Sequence, residues 1–210
     1  MSRYYEIDGK MYPSVTTALS IIHKPQLEQW RGNVGNEEAD RVMHEAADIG
    51  TEVHSYCDLI NSGITDFTVP DELSPIVDAY KHWFKSAVKE VISTETLIVS
   101  HRYQYAGRFD LLAILKGDKL PTVVDIKTSR DIYPDMGLQL AAYQQGLKEA
   151  GIKANRRLIL HLDKITKGKS KTKEYRDHAR DLNMFLYALE LYRYFEGGKL
   201  NARTSIVKVG

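Results

Sequence analysis

The sequence predicts an α/β fold, one sheet under helical cover, on three observations. Between residues 94 and 127 the apolar pattern shortens into alternating and β-branched runs, which read as strands at 94–103, 106–116 and 121–127. Before them, Ile76, Tyr80, Trp83, Phe84, Ala87 and Val91 recur at helical spacing. After them come a helical stretch and one more β-branched run, so the order is helices, three strands, a helix and a strand.

Each element has a local reason. Tyr4, Tyr5 and Ile7 lead to Asp8-Gly9, so residues 3–13 read as a small hairpin. Pro13-Ser14 opens a helical stretch carrying Leu19, Ile21 and Ile22. From 26 to 62 the pattern is helical and polar, with breaks expected at Gly32–Gly35 and at Gly50. Ser74-Pro75 starts a helix with Ser as cap and Pro at the first helical position. Tight turns are expected near Tyr105-Ala106 and at Lys116-Gly117-Asp118. Pro134-Asp135 starts a helix that runs to Glu149, and Gly151 stands where a C-terminal stop belongs. Arg157 to Leu162 reads as the fourth strand and Lys164 to Lys173 as a lysine-rich loop. Residues 174–196 read as an amphipathic helix with Leu182, Phe185, Leu186, Leu189 and Tyr192 on one face. The expected organisation is one domain over 1–210: a mostly helical region (1–92), a sheet core (93–163), then the lysine-rich loop and C-terminal helix (164–210).

Composition narrows the function classes. An apolar fraction of 43% over 210 residues supplies a core, while a net charge of +1 gives no overall pull toward a polyanion. Nucleic-acid contact must therefore rest on local patches. The single cysteine, Cys57, excludes an internal disulfide, a cysteine-rich zinc site and a self-contained four-cysteine iron–sulfur cluster. No apolar stretch approaches the ~20 residues of a membrane span, and Met1-Ser2-Arg3-Tyr4 does not open a signal peptide. A cytoplasmic location without a membrane partner is expected. Gly146 and Gly151 imitate a phosphate loop but lack its Gly-Lys-Ser/Thr ending, so no ATP is expected.

The chemistry concentrates on a few polar residues. Asp125-Ile126-Lys127 ends the apolar run Thr122-Val123-Val124, and strand alternation puts Asp125 and Lys127 on one side. Asp110 sits inside Phe109-Asp110-Leu111-Leu112. Acids in such runs are costly to bury without a cation; the alternative is two strand-end acids facing solvent. Two acids and a lysine on adjoining strands can hold a divalent metal and activate a water beside it, which points to a metal-dependent nuclease. Gln139 and Tyr143 share a helix face, where packing accounts for the Tyr but not the Gln. His54 lies on a helical stretch, and a lone helical His is commonly structural, as is expected of His44, His101 and His161. Glu95 opens the strand pair before Asp110, where an ordinary edge acid is equally at home. Lys164, Lys167, Lys169, Lys171 and Lys173 form a run without an acid, either a solvated loop or a set of phosphate contacts.

Taken in order, Gly50-Thr51-Glu52-Val53-His54, Gly107-Arg108-Phe109-Asp110, Asp125-Ile126-Lys127 and Gln139-Leu140-Ala141-Ala142-Tyr143 resemble the PD-(D/E)XK nucleases, in their RecB-like exonuclease branch. The resemblance covers residues 13–145; each motif is weak alone, and the four in sequence are specific. It implies a restriction-endonuclease-like core, a central mixed sheet flanked by helices, completed by the N-terminal helical region. It implies His54, Asp110, Asp125 and the Ile126 backbone carbonyl as ligands of one or two Mg²⁺ or Mn²⁺ ions, the imidazole favouring Mn²⁺. Lys127 then stabilises charge beside the attacking water. Gln139 and Tyr143 orient Lys127 or touch the nucleic-acid backbone, and Glu95 serves the water or a second metal. The implied activity is a DNA exonuclease on single-stranded ends, in recombination, repair or phage replication, with DNA and a recombination or replication protein as partners. No iron–sulfur cluster is expected. A structure-specific endonuclease or a ring-forming double-strand exonuclease shares the motif set. A silent DNA-binding accessory subunit is the rival from another class, and the intact Asp-Asp-Lys set argues against it. The 92 residues ahead of the sheet core must carry His54 to the site, so a roofed site that admits one strand is expected.

Overall fold

The computed structural model describes residues 2–163, 168–196 and 204–209. β1 (Ser2–Ile7) turns at Asp8-Gly9 into β2 (Lys10–Pro13). Both turn residues have positive φ, 50° and 71°, as a tight hairpin requires. Ser14 caps α1 (Val15–Leu19), its Oγ accepting the Thr17 N–H at 3.0 Å. α2 (Pro25–Val34) and α3 (Asn36–Asn61) part at Gly35, as expected. α3 runs unbroken through Gly50, correcting the second expected break. A methyl at Gly50 would lie 3.4 Å from Thr128 Oγ1, an ordinary contact, so nothing there requires the glycine or breaks the helix. The helix absorbs its propensity cost of about 1 kcal/mol.

α4 (Ser74–Ala87) is capped at Leu73 without a side-chain bond, and Ser74 is its first helical residue, with Oγ turned to Asp78. The expected cap was thus one residue late. β3 (Val88–Ser100) follows directly, and the turn to β4 (Tyr105–Leu115) is made by 101–104 rather than at Tyr105-Ala106. Tyr105 belongs to the strand because its hydroxyl donates to the Ala142 carbonyl and its ring meets Phe185 edge-on, both inside the core. β5 (Thr122–Lys127) and α5 (Asp135–Glu149) stand where expected. Gly151, at φ 78°, ends α5 by donating to Lys148, while Ile152 donates to Leu147.

β6 (Arg156–Leu162) is followed by β7 (Ser170–Glu174), in a stretch expected to be loop, and α6 (His178–Glu196) therefore begins later than expected. β8 (Thr204–Val209) is a further strand without a counterpart in the sequence reading. Both are made by pairing rather than burial: β7 lies antiparallel on β6 and β8 parallel on β1.

The main sheet has the order β3-β4-β5-β6-β7. β5 and β6 are parallel, joined across α5, and the other neighbours are antiparallel, so the sheet is mixed. Val15, Phe109, Leu112, Val123, Leu140 and Phe185 bury one face against α1, α5 and α6. Val53, Tyr80, Leu111, Val124, Ile126 and Leu160 bury the other against α3 and α4. Each such side chain contributes about 1.5–3 kcal/mol. A small sheet, β2-β1-β8, leans on the start of β4 through Tyr5, Ile7, Tyr12 and Ala106. Among the described residues no helix is long and apolar enough to cross a membrane.

Candidate active site

The site forms where two strands fork. The β4–β5 ladder ends at Leu111↔Val124. Beyond that pair, the Ile126 N–H donates to the carboxylate Oδ2 of Asp110 in place of a backbone carbonyl. On β5, Val123 enters the core under α5, and by alternation Asp125 and Lys127 take the same side. α5 lays two polar residues over them: Gln139 Nε2 donates to Asp125 Oδ1 at 3.0 Å and to the Tyr143 hydroxyl at 2.8 Å. Lys127 Nζ lies 2.7 Å from Asp125 Oδ2, yet this buried oxygen accepts no well-aligned hydrogen bond. From across the sheet, α3 brings His54, with Nδ1 3.3 Å from Asp110 Oδ1 and 4.0 Å from Glu95 Oε1.

Glu95 faces Asp110 because Thr94 pairs with Leu111 and Thr96 with Phe109. Its φ is 45°, a left-handed conformation that costs a non-glycine residue of order 1–3 kcal/mol. That strain inside a strand sits at the one residue that adds a third carboxylate to the cluster.

Gly107, at the head of the Gly-x-x-Asp element, makes room for the site. A Cβ there would fall 2.8 Å from Tyr143 Cε1 and 2.9 Å from Val15 Cγ2. Gly107→Ala is expected to displace one of these and cost about 1–3 kcal/mol, lowering the melting temperature by roughly 2–12 °C. An unchanged melting curve would mean that Tyr143 and Val15 yield freely.

The charges are strongly coupled. Burial alone would lower the His54 pKa, but the Asp110 carboxylate outweighs it and pushes the imidazole up to about 9. Asp110 stays below the usual carboxylate range: burial opposes this, and His54, Lys127 and the Ile126 N–H prevail. Asp125 is pushed up to about 6 by burial, which Lys127 only partly offsets and Asp110 reinforces. Burial, with Asp110, also raises Glu95. Burial would lower Lys127, yet Asp125 and Asp110 hold it above its ordinary value. Four carboxylates, those of Asp58, Glu95, Asp110 and Asp125, thus line the cavity with one ammonium, one imidazole and the guanidiniums of Arg3 and Arg108. Among the described residues, His54, Glu95 and Asp110 form the group of metal-ligating type, with ligand atoms all within 4.8 Å of one another.

His54, Glu95, Asp110, Asp125, Lys127, Gln139 and Tyr143 all line one cavity of about 490 Å³. Ile126 enters the site through its backbone, and its side chain belongs to the core under α3 and α4. The described lysines of the run stand outside this cavity. Lys171 and Lys173 lie on edge strand β7, two strands from β5, and with exposed Lys169 they are absent from the cavity lining. Two strand spacings are about 10 Å, and lysines on an edge strand also hinder edge-to-edge pairing. Lys173 Nζ sits 4.9 Å over the Tyr175 ring. Lys164 and Lys167 lie outside the described residues. The cavity also contains polar residues to which the sequence reading gave no role: Arg3, Ser14, Thr16, Thr51, Ser55, Asp58 and Arg108. Arg108 stands two residues before Asp110 on the same strand, and that spacing is a usable signal. Arg3 arrives through the packing of β1, which no local pattern marks.

The model of the PD-(D/E)XK nuclease superfamily matches residues 27–202. A candidate exonuclease from Eubacterium rectale has a solved structure that matches with a TM-score of 0.52 at 16% identity. The match covers 74% of this chain and 69% of the other. At that identity the likeness is one of fold: α/β, with mixed sheet and flanking helices. The structure of SSO0001 matches at 16% identity over 92% of this chain and 77% of its own, with a TM-score of 0.40, too low to carry an argument. No curated protein matches the sequence.

Proposed function

Because the chain belongs to the PD-(D/E)XK nuclease superfamily, we propose that it is a divalent-metal-dependent DNA exonuclease acting on single-stranded ends, with residues 1–210 working as one nuclease unit. The observation that carries this reading is the meeting of His54, Glu95 and Asp110 beside the Asp125–Lys127 pair in one cavity. The residues fit a hard divalent cation. Their donors are carboxylate oxygens and one imidazole, and the buried Oδ2 of Asp125 lacks a well-formed hydrogen bond. His54, Glu95, Asp110 and Asp125, with the Ile126 carbonyl, would hold Mg²⁺ or Mn²⁺, and His54 favours Mn²⁺. When bound, such an ion supplies Lewis acidity and lowers the pKa of a nearby water.

The chain's own residues supply the rest. Asp125 holds the Lys127 ammonium at 2.7 Å, where its charge can meet the negative charge that builds on the phosphate during attack. Gln139 fixes Asp125 and Tyr143 together, so the carboxylate does not rotate away from Lys127. Arg3 and Arg108, which reach the same cavity, are suited to neighbouring phosphates of the strand. Residues of β1, α1 and α3 line the cavity together with those of the sheet and α5, and a site enclosed by that many elements suits a single strand better than a duplex. Recombination, repair or phage replication is the setting this activity fits.

With its pKa at about 9, His54 carries a proton at pH 7.5 in the metal-free chain. Coordination requires the neutral ring, so Mn²⁺ binding is expected to release roughly one proton at that pH and fewer as pH rises past 9. Calorimetric titration in buffers of different ionisation enthalpy reads this directly. His54→Ala should bind Mn²⁺ more weakly and without that proton, and an unchanged proton count would remove His54 from the ligand set.

The exonuclease reading is tested with linear and covalently closed single-stranded DNA of matched sequence, each with Mn²⁺. Linear strands should shorten progressively while circles persist. Rapid nicking of the circles would assign an endonuclease instead and leave the metal chemistry intact.

A further inference from the structure

Beside the catalytic cavity lies a second one of about 750 Å³, between the end of α1, the start of α2 and the start of α5. Thr16, Lys127 and Gln139 line both, so the two spaces meet at catalytic residues. Their linings differ in kind. The first offers carboxylates, hydroxyls and two arginines, whereas the second is built on Leu19, Ile22, Leu27, Tyr133 and Met136. The ionic side chains of the second are already matched: Lys24 with Asp135 at 2.7 Å, His23 with Glu28 at 2.7 Å, and Lys127 with Asp125. It therefore combines apolar side chains and an aromatic ring with the hydroxyls of Ser20 and Ser129, and its two lysines each lie beside a carboxylate. Tyr133 is 37% exposed, and its backbone is held by Tyr175, whose hydroxyl donates to the Tyr133 carbonyl. A nucleotide has the same division, with a charged phosphate on one side and a flat, weakly polar base on the other.

We propose that this second cavity is a nucleobase subsite, which takes the unstacked base of the nucleotide adjoining the scissile phosphate and stacks it on Tyr133. The proposal rests on the nuclease reading above and adds to it where the base goes. The volume lies in the range of about 300–1,000 Å³ typical of small-ligand pockets. A base that stacks there must have left a duplex, so the subsite also selects unpaired ends.

The experiment uses the full chain with Mn²⁺ and oligonucleotides that carry one abasic nucleotide, moved stepwise from the end. For the wild type, one abasic position should raise KM by about 5- to 150-fold, the size of one base–aromatic stack. Tyr133→Ala should show the raised KM on intact DNA and no further penalty at that position, while Tyr133→Phe should behave as wild type. An abasic penalty of equal size in wild type and Tyr133→Ala, or none at any position in the wild type, would overturn the subsite while cleavage itself persists. Failure of the wild type to cleave any oligonucleotide would instead remove the nuclease reading, and this proposal with it.

Discussion

Substituting Asp125 by Asn is expected to lower cleavage by about 10³-fold or more while the chain still folds. The substitution keeps the volume and the contact with Gln139 but removes the charge that holds Lys127 and that the proposed ion would meet. Metal chemistry is worth several kcal/mol at the transition state, and each ~1.4 kcal/mol is tenfold in rate. Asp110→Ala should fall as far, since Asp110 joins His54, Glu95 and the Ile126 amide. Stability should move the other way in the metal-free protein. The Asp125 carboxyl is raised to about 6, above its unfolded value. Its contribution is therefore whole below pH 4 and lost as pH rises through 6. Asp125→Asn should lack that loss, read as a smaller fall in melting temperature between pH 4 and pH 7 than the wild type shows. Wild-type cleavage by either variant at equal metal concentration would sink the assignment.

Lys127→Ala is expected to retain Mn²⁺ affinity and lose about 10²- to 10³-fold in turnover. Its ammonium is held by Asp125 at 2.7 Å and, while protonated, has no lone pair to offer a metal. In the proposed reaction its charge meets what develops in the transition state, the kind of interaction whose removal costs that much. Lys127→Arg should also be poor, because a planar guanidinium does not replace a compact ammonium at 2.7 Å from a buried carboxylate. Calorimetry with Mn²⁺ beside single-turnover rates separates the two roles. Collapse of metal affinity with normal turnover at saturating metal would show that Lys127 supports the ions rather than the reaction.

How far the sequence disclosed this arrangement depended on whether a residue acts through its neighbours in the chain. Thr122-Val123-Val124 could be read as a strand because it is β-branched and buried on both faces, so the shared side of Asp125 and Lys127 followed from alternation alone. Gln139 and Tyr143 were legible because helix spacing puts them on one face, and they do bond each other. β7 was not legible: Ser-Lys-Thr-Lys-Glu has no apolar alternation and becomes a strand only by pairing with β6. β8 depends in the same way on β1, nearly the full chain length away. Gly50 misled because helix propensity penalises glycine locally, while α3 runs on from Asn36 to Asn61 and carries that cost. Arg3 joins the cavity by distant packing, and the left-handed backbone of Glu95 has no sequence signature at all. Lys171 and Lys173 were the converse case: their charge was plain, but not that they would stand on an edge strand two places from β5.

The most direct measurement is nucleotide release from a linear single-stranded DNA by the wild-type chain, with Mn²⁺ and with chelator, beside Asp125→Asn with Mn²⁺. Release is expected from the wild type with Mn²⁺ alone. Release that survives the chelator, equal release by Asp125→Asn, or no release by the wild type at any metal concentration would contradict a metal-dependent nuclease centred on Asp110, Asp125 and Lys127.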